Sequence, residues 1–190
     1  MPQKTPAKWK ALTPAEQYKR SVAAARSRIA GETFEAQIEA SLHWHETHGL
    51  MRARKTPEPM KPIRPLNGGQ FIACYTKRAQ VDFSGTMFGG RAVRFEAKQT
   101  DSGRFERGRL TDEQMDDLRE NEALGALCFV ILCFGYDHFY RVPWKFWDNM
   151  KQTFGRQYVT EEDVARFRLP YVAGVIKILD GIKPEEGATT

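Results

Sequence analysis

Hydrophobic and polar positions along the chain fall into short segments with distinct periods. Behind a polar start marked by Pro2 and Pro6, Thr13-Pro14-Ala15-Glu16 has the form of a helix start. Thr13 caps, Pro14 takes the first turn, and Glu16 meets the positive end of the dipole. This predicts a helix to about Ala30, broken by Gly31. A second helix is expected over 32–47, where Phe34, Ile38 and Leu42 recur at spacing four as a buried stripe. Glu32, Glu35, Glu39 and His43 fall on an adjoining face, and Gly49 ends the helix. Residues 52–70 carry four prolines among basic residues, which forbids a helix and favours a stiff, extended basic protrusion. Short strands follow over 71–75 and 81–84, the second closed by Gly85. A turn over 87–90 leads into a strand over 91–99. Thr111 caps a helix to about Leu124, with Asp112 and Glu113 in its first turn and Gly125 after its end. The continuous apolar run over 127–134 marks a strand buried on both faces. A strand over 138–142, short helices over 143–147 and 161–167, and an edge strand over 175–179 complete the series. The order predicts an α/β mixed sheet flanked by helices, not a doubly wound nucleotide fold.

A length of 190 residues with 41% hydrophobic content suits one compact domain and excludes a wholly disordered chain. No run of about 18 apolar residues exists to span a bilayer, and the basic N-terminus lacks the apolar core of a secretory signal. Cys74, Cys128 and Cys133 are too few for a disulfide scaffold, so a reducing cytoplasm is the expected compartment. The organisation expected is a basic arm and helix over 1–30, a main domain over 31–182 that includes the protrusion 52–70, and a frayed tail over 183–190. Charge is segregated: residues 1–30 net +6, 31–49 net −4, 50–109 net +8 and the remainder −5. A basic arm and a basic middle surrounding a few isolated acids point to a polyanionic partner, above all nucleic acid.

The chemistry centres on Asp82 and, after thirteen intervening residues, Glu96-Ala97-Lys98. Strand alternation sets Val93, Phe95 and Ala97 on one face and Arg94, Glu96 and Lys98 on the other. If the two strands pair, Asp82 and Glu96 converge from neighbours about 4.8 Å apart. Carboxylates that close repel one another, so the arrangement favours a divalent cation. Hard oxygen ligands select Mg²⁺, with Mn²⁺ as substitute. Lys98 beside such a site would orient a nucleophile or neutralise charge building on a scissile phosphate. The competing reading is an ordinary surface Glu–Lys pair. Against it, Glu96 is the only acid in the chain followed two places later by Lys.

Asp82, Glu96 and Lys98 at this spacing resemble the pattern of the restriction-endonuclease-like nucleases. The chain is more narrowly similar to RecU-type Holliday junction resolvases of Gram-positive bacteria and their phages. The similarity rests on Gly31-x-x-Phe34-Glu35, the Pro-rich 54–64 segment, Val81-Asp82-Phe83-Ser84-Gly85, Phe95-Glu96-Ala97-Lys98-Gln99, Gln114, and Gly125 before the apolar run. The resemblance covers about residues 31–147. It implies a restriction-endonuclease-like mixed central sheet with a protruding Pro-rich stalk. It further implies a homodimer that nicks a four-way DNA junction symmetrically and leaves 5′-phosphates. Within it, Asp82 and Glu96 match metal-binding carboxylates, Lys98 the catalytic lysine, Glu35 the helix acid that completes the metal site, either through a metal-bound water or as a base, and Gln114 a supporting polar residue. The stalk 52–70 would enter the junction centre. Recombination proteins are compatible partners, and no membrane is involved.

Basic side chains assigned to DNA are Arg52, Arg54, Lys55, Lys61, Arg64, Lys77, Arg78, Arg94, Arg104, Arg107 and Arg109. His43, His45 and His48 lack zinc-site spacing and read as a solvated helix end. Cys128 and Cys133, five apart in one strand, face opposite sides as core filling. Trp144, Phe146 and Trp147 read as packing rather than base stacking. The expected function is a Mg²⁺-dependent, structure-selective endonuclease resolving four-way junctions. Its rivals are a non-catalytic architectural DNA-binding protein and a sequence-specific restriction-type endonuclease.

Overall fold

The computed structural model describes residues 13–76 and 80–182, with side chains of 14–15 and 23–28 left aside. Residues 1–12 of the expected basic arm, together with Lys77, Arg78 and the tail 183–190, lie outside the described residues. In chain order the elements are α1 (Pro14–Thr47), β1 (Met51–Lys55), β2 (Met60–Pro65), β3 (Phe71–Tyr75), β4 (Phe83–Met87), β5 (Ala92–Thr100) and β6 (Arg104–Glu106). They continue with α2 (Asp112–Ala123), β7 (Leu127–Phe134), β8 (His138–Pro143), α3 (Trp144–Asp148), α4 (Met150–Phe154) and β9 (Tyr158–Thr160). The last three are α5 (Glu161–Val164), β10 (Tyr171–Val172) and β11 (Val175–Ile176). Five strands form the central sheet in the order β1-β4-β5-β7-β8, with β5 and β7 parallel and the other neighbours antiparallel. The expected mixed sheet flanked by helices is present. No described helix is long and apolar enough to cross a membrane.

Helix α1 packs on one face through the expected stripe Phe34, Ile38 and Leu42, all buried. Under it, Phe83, Phe95 and Phe129 stack across three adjacent strands with ring centroids 4.9 Å apart. These rings sit at paired positions of β4, β5 and β7, so their stacking supports one register. The opposite face is covered by α2 and α3, with Leu118, Val130, Trp144 and Trp147 in its core. The indoles therefore pack, as expected, although Trp147 Nε1 has no partner among the described residues. Cys128 and Cys133 enter opposite cores, also as expected.

Four expectations need correction. Gly31 does not break the helix: α1 runs without interruption through it, with residues 16–22 exposed at its outer end. One glycine costs an α-helix only about 1 kcal/mol, which the capping box at Thr13 and the buried stripe outweigh. Gly85 does not close a strand but lies inside β4 against Ala53, where a Cβ would meet the Arg52 carbonyl oxygen at 2.1 Å. The 52–70 segment is not one extended stalk. Arg52, Arg54 and Lys55 belong to β1 of the central sheet, and the protrusion is the β2–β3 hairpin, turned at Asn67-Gly68-Gly69. Prolines are tolerated there because each strand of a two-stranded ribbon has a free edge. Finally, the 175–179 strand is only β11, paired with β10 and not with the central sheet.

Candidate active site

The site grows out of the β4–β5 register. Phe83 opposes Phe95 on the α1 face and Glu96 turns to the other, while Asp82 sits at the bend just before β4, where Val81 and Phe83 enter opposite cores. The Asp82 backbone N–H donates to Glu96 Oε2 at 3.0 Å, and the Ala97 N–H donates to Asp82 Oδ2 at 3.2 Å. Glu96 is wholly buried, with Val130 of β7 beside it. Lys98, two residues along the same face, donates to Glu96 Oε1 and lies 3.9 Å from Asp82 Oδ2. The sequence reading of these three residues as one cluster agrees with this geometry.

Gln114 joins them from α2. Thr111 and Gln114 form a reciprocal cap: Gln114 N–H donates to Thr111 Oγ1, and Gln114 Oε1 accepts from Thr111 N–H at 3.0 Å. That contact orients the amide, leaving Nε2 to donate to Glu96 Oε1 at 2.8 Å. One side chain thus starts the helix and fixes a buried carboxylate.

Electrostatics at the centre are unfavourable for two bare anions. Burial first, then the charge of Asp82, pushes the Glu96 carboxyl up to about 7 against the opposing pull of Lys98. A divalent cation between these carboxylates would relieve that tension, so the donor set fits a metal of the Mg²⁺ class. Among the described residues no group of three His, Cys, Asp or Glu side chains is assembled to hold one.

Glu35, expected to complete the site, stands on the cleft wall rather than in the hydrogen-bonded cluster of Asp82, Glu96, Lys98 and Gln114. It lines the same cleft, of about 310 Å³, but pairs with Lys55, whose pKa is raised by that bond. The cleft runs between the Ala30–Glu35 stretch of α1 and the end of β5, and Gln99 also borders it. Gln99 belongs to the motif string, where the sequence alone suggests no role for it. Its Nε2 donates to the Gly135 carbonyl at 2.5 Å, while its buried Oε1 has no partner among the described residues.

The basic candidates scatter. Arg52 and Arg54 pair with Glu46, Arg94 with Asp117, Arg104 with Glu106 and Arg107 with Asp148. Lys61 and Arg64 stand exposed on the hairpin. Only Lys55, Lys98 and Arg109 among the described basic residues line the cleft. The histidine expectation holds only in part, since His45 is buried with Nδ1 2.7 Å from the Ser41 carbonyl, and His48 stacks on Trp44.

Comparison with known proteins agrees with these features. The family described as Recombination protein U (RecU) matches residues 29–179. "Holliday junction resolvase RecU" of Bacillus licheniformis is 25% identical over 163 residues, covering 80% of this chain and 81% of that protein. The protein of the same name from Bacillus pumilus is 25% identical over 179 residues, covering 85% and 86%. Among solved structures, the Archaeoglobus fulgidus Holliday junction resolvase Hjc is similar with a TM-score of 0.45 and 14% identity, over 70% of this chain and 90% of that one. With the match running from the buried part of α1 to just past the β10–β11 hairpin, the chain belongs to the RecU family.

Proposed function

We propose that this protein is a divalent-metal-dependent endonuclease that resolves four-way DNA junctions by paired symmetric nicks, with Mg²⁺ as its ion. The observation that carries the reading is the convergence of Asp82, Glu96, Lys98 and Gln114 on one face of β5 beside an open cleft. Membership of a family whose relatives are called Holliday junction resolvases supports the choice of substrate.

Asp82 and Glu96 are the residues that would hold the ion, which supplies Lewis acidity toward a phosphodiester and toward water. The chain's own groups do the rest. Gln114 keeps Glu96 Oε1 oriented, and Asp82 N–H holds the other oxygen. The Lys98 ammonium, within reach of both carboxylates, is sited to offset negative charge that builds on the phosphate during attack. Glu35, on the facing wall, takes the proton of the attacking water once DNA draws Lys55 away from it. The exposed hairpin carrying Lys61 and Arg64 enters the open centre of the junction. Two symmetric nicks, one in each of two opposed strands, require two clefts, hence a homodimer.

The test is cleavage of a synthetic four-way junction and of linear duplex, in Mg²⁺ or EDTA, by wild type and Glu96→Gln. Paired nicks in the junction alone are expected, falling by about 1,000-fold or more in the variant and in EDTA while junction binding persists. Binding without cutting in either Mg²⁺ or Mn²⁺ would favour an architectural protein. Equal cutting of both substrates would keep the nuclease and discard the junction.

A further inference from the structure

Most cations near the cleft already have an acid of the chain as partner. Lys55 holds Glu35 and Lys98 holds Glu96, while Arg94, Arg104 and Arg107 each have a carboxylate within 3.5 Å. Arg109 differs. It lines the same cleft as Asp82 and Lys98, and among the described residues no carboxylate lies within ion-pair range of it.

Its position is set from below. The guanidinium lies over the fully buried ring of Phe105, 5.2 Å from the centroid. Phe105 pairs with Val159 in the β6–β9 ribbon, and the Arg107 N–H donates to the Gln157 carbonyl at 2.8 Å. Leu110, next in the chain, is buried, and Thr111 then caps α2. One short stretch therefore carries both Arg109 and, at Gln114, the amide that holds Glu96. Although the residue remains exposed, its surroundings strip enough water from the guanidinium to lower its pKa, with no acid pulling the other way.

A cation held on an aromatic platform without an internal counter-ion is a preformed anion site, and the planar guanidinium fork matches two oxygens of a phosphate. We propose that Arg109 grips a DNA backbone phosphate inside the cleft, at or next to the one cut, and acts on the cleavage step rather than on overall affinity. This rests on the endonuclease reading above. The hairpin cations Lys61 and Arg64, which do not line the cleft, supply affinity instead.

Single-turnover cleavage of a four-way junction at saturating protein, measured beside equilibrium binding, separates the two roles. Arg109→Ala is expected to slow the saturated rate about 100-fold while raising Kd no more than about threefold. Arg109→Lys is expected to recover only part of the rate, because a point charge lacks the fork. The Lys61→Ala/Arg64→Ala double variant should show the reverse pattern. Titration of the dinucleotide pTpT, followed by phosphorus NMR, needs no cutting and should weaken about tenfold in Arg109→Ala. A saturated rate within about threefold of wild type, a loss confined to Kd, or unchanged pTpT binding overturns the inference. A wild type that cuts no DNA, yet binds pTpT through Arg109, sinks the endonuclease reading and leaves the phosphate site standing.

Discussion

A carboxylate withdrawn from water, as Glu96 is, persists only when each oxygen is satisfied, and here three donors from three parts of the chain do so. His45 is the neutral counterpart of that case. Buried under α1, its imidazole is held below its ordinary pKa, first by desolvation and also by the nearby charges of Lys177 and His48. Its folded-state pKa is thus depressed, so the unfolded chain takes up the proton more readily. The stabilising contribution is present above about pH 6.5 and is lost as pH falls below it. Resistance of the wild type to unfolding by urea should therefore fall between pH 6.5 and 5, by at most about 1.4 kcal/mol per pH unit for this group. His45→Gln should flatten that slope, and an unchanged slope would show that another group is responsible.

Helix α1 offers the clearest test at the level of elements, because Gly31 lies in its interior with open space where a Cβ would stand. Gly31→Ala should stabilise the fold by about 0.5–1 kcal/mol in thermal or urea unfolding, whereas a true break there would make alanine neutral or harmful. The elements read correctly from sequence are those whose signals are local. Thr111 and Gln114 announce α2 three residues apart, and the apolar run of β7 is continuous. Those missed depend on distant partners: β6 is three residues long and exists because β9 pairs with it from more than fifty residues away. Strand β1 hides in the sequence as part of a stalk because Pro57 and Pro59 dominate the local pattern, while its pairing Met51↔Met87 is tertiary. The same division holds at the site. Asp82, Glu96 and Lys98 were legible from alternation in one hairpin. The pairing of Glu35 with Lys55, and the cleft place of Gln99, come from packing α1 against the sheet.

Over the whole molecule, a formal charge of +5 conceals basic residues concentrated before position 110 and acids after it. If DNA lies along the basic hairpin, affinity should fall steeply with salt. Removing Lys61 and Arg64 should shallow the slope of log K against log salt by up to about 0.9 per lost phosphate contact. Equal slopes for wild type and the double variant would place the DNA elsewhere. Helix α1 joins this surface to the chemistry. Its outer end, from Glu16 to Val22, stands in solvent, while Ala30, Gly31 and Glu35 wall the cleft and the stripe from Phe34 to Leu42 is clamped on the sheet. At 1.5 Å per residue the outer end lies about 28 Å from Glu35, with no hinge between them. The outer turns and the cleft wall are thus parts of one continuous rod, anchored to the sheet at its inner end.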